Sequence, residues 1–68
     1  MEKVLKIINE FVDKVNEARA NENYALANEY LDMLCGAICI FNEYEADNGR
    51  VLLMGEANSK LWVEVREI

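Results

Sequence analysis

Sixty-eight residues with thirteen acidic and seven basic side chains, a net charge of −6, allow one domain at most and argue against a nucleic-acid-binding or anionic-membrane-binding role. A domain of about 60 residues buries only about 60% of its unfolded surface, so the margin of stability is thin and a staple, a metal or a partner subunit is commonly needed. An apolar content of 53% still supports a core and excludes global disorder.

The spacing predicts a first helix over residues 2–20. Val4, Ile8, Phe11, Val15 and Ala18 follow one another at intervals of 4, 3, 4 and 3, which places them on one stripe, and Leu5 and Val12 widen it. Glu10 and Lys14 form a favourable pair one turn apart on the outer surface. Asn21 to Asn23 mark a turn, and Asn21 or Asn23 can cap the next helix.

A second helix is expected over residues 23–42, and it is apolar on two sides. Tyr24, Ala27, Leu31, Leu34, Ile38 and Phe41 form one stripe; Leu26, Tyr30, Met33, Ala37, Ile40 and Tyr44 form another beside it. Between Met33 and Phe41 no charge appears, so the first helix can cover only one of the two sides. That uncharged run is well short of the roughly 20 residues a bilayer requires. Glu2, Lys6, Glu10 and Asp13 interrupt any signal-peptide core. A cytoplasmic protein with reduced thiols is therefore expected, with Cys35 and Cys39 read as small buried apolar residues.

Strands are expected over about 50–54 and 61–66, rich in Val, Leu and Trp, with a turn-like Gly55–Ser59 between them. The fold class is then α+β: an antiparallel two-helix hairpin followed by a C-terminal β-hairpin. Asn48-Gly49 is a strong type I′ turn signal, and Ile38 and Ile40 tolerate a strand. A three-stranded antiparallel meander, with residues 38–46 as its first strand, is therefore the alternative. An all-helical arrangement, with Ser59 capping a third helix, stands behind both. Alternation along the last strand turns Leu61, Val63 and Val65 to one face and Trp62 to the other.

The chain contains no histidine, threonine, glutamine or proline, and Ser59 is its only serine. A serine or cysteine nucleophile lacks its usual imidazole base. Two cysteines without histidine make a poor zinc site, and Gly36, Gly49 and Gly55 are too scattered for a phosphate loop. With Gly49 at the sixth position of a calcium loop, the first, third and twelfth positions would be Tyr44, Ala46 and Gly55, which rules out an EF-hand. No catalytic residue, metal ligand or cofactor site is expected.

The reading that remains is binding. Glu43, Glu45 and Asp47 crowd around Tyr44 at the negative end of the second helix, where cations are preferred. Glu43, Tyr44, Glu45 and Asp47 are thus the expected contact to a partner protein with a basic surface, as in a regulatory or inhibitory protein that masks a nucleic-acid or phosphate site. Very small acidic proteins with which mobile elements block host nucleases share this general character. The rivals are a self-associating structural module and the acidic member of a two-component pair. The surplus apolar surface predicts a homodimer through Tyr30, Met33 and Trp62.

Overall fold

The computed structural model describes residues 2–68. Helix α1 (Glu2–Ala20) and helix α2 (Tyr24–Glu45) form a hairpin, a single 3₁₀ turn (Ala46–Asn48) follows, and strands β1 (Arg50–Ala57) and β2 (Lys60–Glu67) complete an antiparallel β-hairpin. The fold is the expected α+β arrangement.

Local chemistry accounts for the joints. At the end of α1, Asn23 N–H donates to the Ala18 carbonyl and Glu22 N–H to that of Arg19, with Glu22 in the left-handed region at φ 58°. This is the Schellman pattern that uses up the last helical carbonyls. The Asn23 side chain then accepts from Leu26 N–H and starts α2, one of the two caps expected.

Residues 38–45 are helical, so no third strand exists among the described residues. Gly36 does not end α2. Asn48-Gly49 closes no hairpin: Gly49, at φ 70°, terminates the 3₁₀ turn and redirects the chain into β1. The type I′ position falls instead on Asn58-Ser59, both at positive φ, between the paired Ala57 and Lys60. That two-residue loop leaves room for strands of eight residues, longer than the sequence signal suggested.

The core lies between the helix pair and the inner face of the sheet. Ile8, Val15, Leu34 and Phe41 are fully buried, with Val12, Ala18, Ala27, Leu52 and Leu61 around them. Two asparagines fasten the layers. Asn42 of α2 donates to the Leu52 carbonyl (3.2 Å) and accepts from Leu52 N–H (2.7 Å); Asn16 of α1 does the same at Leu61 (2.9 and 2.8 Å). Each side-chain amide thus takes the place of a neighbouring strand for one residue of a sheet edge.

Arg50 pins the opposite end. Its guanidinium bonds both carboxylate oxygens of Glu45, reaches Glu2 of α1, and lies 5.4 Å from the centre of the Phe41 ring. Glu45 is 5% exposed and also accepts from Asn48 (3.1 Å).

Candidate interaction site

The four residues of the acidic cluster do not form one surface. Glu43, Tyr44 and Asp47 are exposed, whereas Glu45 is turned inward onto Arg50 and Asn48. Hydrogen bonds from Arg50 and then Asn48 hold its carboxyl below the ordinary glutamate range, and the same pairing raises Arg50. Glu45 therefore belongs to the fold, and the expectation that it contacts a partner is corrected.

Tyr30, Met33 and Trp62 do not share a surface either. Asn42 marks the side of α2 that meets the sheet, and Met33, nine residues away, stands about half a turn round the helix from it. Tyr30 packs on the α1 side of that outer face, 6.1 Å from the Phe11 ring with Lys14 over its own. Trp62 lies on the outer face of the sheet, because its neighbour Leu61 is buried inward. The molecule thus has two separate apolar surfaces on opposite sides.

Met33 is 57% exposed, Ile40 50% and Tyr44 67%, spaced so that they run along one stripe of α2. Ile7 of α1, 46% exposed, stands one turn from Phe11 and widens the stripe through the Phe11–Tyr30 contact. Exposed Glu29, Asp32 and Glu43 follow the stripe at helical spacing on its other flank. Gly36 sits within it, in the interior of α2, with nothing in the chain within 4 Å of where a Cβ would be.

Both cysteines are exposed on α2, against the expectation of burial. They stand on the flank of the helix away from α1, where type alone does not draw them inside. On the sheet surface, Trp62 lies flat across its paired residue Gly55, leaving no room there for a side chain, and Leu53 is exposed beside it.

Two open depressions of about 250 and 330 Å³ flank the α1–α2 turn. The first is lined by Lys14, Glu17, Asn21, Asn23 and Tyr30 among others, the second by Asn16, Arg19, Tyr24 and Lys60 among others. The second also holds Ser59, the only serine, beside Lys60. Among the described residues no three His, Cys, Asp or Glu side chains gather closely enough to hold a metal ion. By length and hydropathy alone Tyr24–Asn48 could cross a bilayer, although Glu29 and Asp32 stand within it and Asn42 and Glu45 tie it to the hairpin.

Compared with protein-family models, curated proteins and solved structures, the chain matches none.

Proposed function

We propose that this chain is a small, acidic, non-enzymatic regulatory or inhibitory protein that acts by binding another protein through the outer face of its helical hairpin. The observation that carries the reading is the uncovered Met33–Ile40–Tyr44 stripe with its acidic border of Glu29, Asp32 and Glu43. An apolar patch of this kind on a small protein marks an interface, and its flanking charge selects the partner. Gly36 adds support. A glycine in an exposed helix interior costs about 1 kcal/mol against alanine, and no packing inside the chain requires it. Local rules broken without internal compensation point to function.

The partner is a protein whose apolar patch is ringed by lysine or arginine, as around a nucleic-acid or phosphate site that this surface would mask. The same acidic border repels nucleic acid and anionic lipid. Exposed Cys35 and Cys39 suit a reducing, cytoplasmic setting.

A photo-crosslinking residue at position 40, in the native host, tests the reading. It should capture a protein efficiently, and capture should weaken at raised salt and when Asp32 and Glu43 become amides. The control is the same residue at Leu53, on the outer face of the sheet. Equal capture at the two positions, or capture indifferent to salt and to the amides, would refute it.

A further inference from the structure

The β-hairpin has two edges, and the asparagine clasps show which backbone groups face outward. Both the N–H and the C=O of Leu52 point at Asn42, and those of Leu61 point at Asn16. The Leu52–Val65 and Glu56–Leu61 pairs are therefore the non-hydrogen-bonded pairs of the ladder. By the two-residue alternation, Val63, Val65 and Glu67 on β2 also point their N–H and C=O outward. None of these finds a hydrogen-bond partner among the described residues; Ile68 N–H, which points the other way, meets the Gly49 carbonyl.

Helix α1 lies along the inner face of β2, where Val63 and Val65 pack against the core, and it meets the edge backbone itself at Leu61, through Asn16. Beyond Leu61 no side chain of the described residues bonds that edge.

We infer that the Val63–Glu67 edge pairs with the same edge of a second copy, antiparallel and centred on Val65, to give a four-stranded sheet. The choice of occupant and register rests on the residues themselves. Centring on Val65 sets Val65 against Val65 and Val63 against Glu67, so every free outward group is used in about six backbone hydrogen bonds. It also sets Glu64 against Arg66 on both sides of the axis, two opposite-charge cross-strand pairs. Trp62, 46% exposed, comes opposite Ile68 of the second copy, 84% exposed. Centring on Glu64 opposes two carboxylates. Centring on Val63 runs into Leu61, whose edge Asn16 already occupies. Only one register satisfies both charge and backbone.

The edge carries no proline and no bulge of the kinds that isolate free strands, and the one charge on its inner face, Glu67, stands at its very end. This pair is distinct from the helix-face contact and does not depend on it.

Sedimentation equilibrium of the full chain decides the matter. The wild type should show twice its 7.8 kDa mass at micromolar concentration, and Val65→Pro should show the single mass. In the monomer the Val65 N–H bonds nothing, so proline there should leave the circular dichroism of the fold intact. E64R and R66E alone should each weaken pairing about tenfold by opposing like charges. Mixed in equal amounts they should pair again, since each supplies the charge the other lacks. Mixing cannot restore the Arg66–Glu64 ion pair within one chain (3.2 Å), so recovery reports the contact between copies. A 7.8 kDa mass for the wild type at hundreds of micromolar, a dimer that survives Val65→Pro, or no recovery on mixing would overturn the inference.

Discussion

Replacing Asn42 by alanine removes both hydrogen bonds to the Leu52 backbone, at 2.7 and 3.2 Å, and places nothing in their stead. Each bond contributes about 0.5–1.5 kcal/mol net, and a donor or acceptor left buried without a partner costs about 1–3 kcal/mol. Asn42 is half-buried at the sheet edge, so water reaches part of the vacated site and about 2 kcal/mol is the reasoned loss. A chain of this size has roughly 3–10 kcal/mol in total. At about 4–8 °C per kcal/mol, thermal unfolding followed by circular dichroism should shift down by about 10 °C. Asn16→Ala, acting on Leu61, should cost a similar amount. The double variant should free the hairpin from the helices, seen as loss of Trp62 fluorescence asymmetry before loss of helical signal. Asn42→Asp should be worse than alanine at neutral pH, because it sets a carboxylate against the Leu52 carbonyl. Midpoints for both alanine variants within about 2 °C of wild type would refute the view that these amides hold the layers together.

Leu34 is fully buried, so Leu34→Ala should cost about 2–5 kcal/mol in denaturant titration, and Leu34→Asp should leave the chain unfolded by dichroism. Gly36→Ala meets nothing and should raise stability by about 0.8–1 kcal/mol while weakening partner capture from position 40. Glu45 has its carboxyl lowered in the fold, so its contribution is present above the ordinary glutamate value of about 4.3 and is lost as pH falls through the lowered folded value. Glu45→Gln should flatten that acid limb of the stability curve in a pH series of melts. Gly55→Ala puts a methyl group into the Trp62 ring, which must swing away, so the fluorescence emission should move to longer wavelength.

The helices were legible because their signals are local. The 4–3 spacing of Val4 to Ala18 places α1 at its observed ends, and Asn23 caps α2 where a capping residue was expected. Legibility failed where distant residues decide. Ile38 and Ile40 fit a strand or a helix by propensity, and it is packing of Phe41 and pairing of Glu45 with Arg50 that draws α2 on to residue 45. Asn48-Gly49 is a better type I′ dipeptide than Asn58-Ser59, yet its left-handed glycine serves as a stop and the hairpin turns where the strands end. The acidic cluster reads as one patch along the chain because inward rotation of Glu45 depends on Arg50, five positions on and in another element. The amide clasps were missed altogether. Their faint trace is a lone asparagine directly after a buried residue, Asn16 after Val15 and Asn42 after Phe41.

The two open surfaces follow from the two-layer architecture, and their directions connect them. Two helices and two strands make two layers, and among the described residues no further element covers the outer face of either. The inner face of the sheet and the facing sides of the helices meet in the core, so the Met33–Ile40–Tyr44 stripe must look away from the sheet. Antiparallel pairing along one continuous sheet puts the two-fold axis perpendicular to it, which keeps both helix pairs on the same side. The proposed β2-edge dimer would therefore aim two copies of the stripe in one direction. A partner offering two sites at that spacing would bind by avidity, gaining far more than either contact alone. Val65→Pro would then leave the affinity of a single stripe unchanged while removing that gain, whereas Ile40→Glu would abolish binding in monomer and dimer alike.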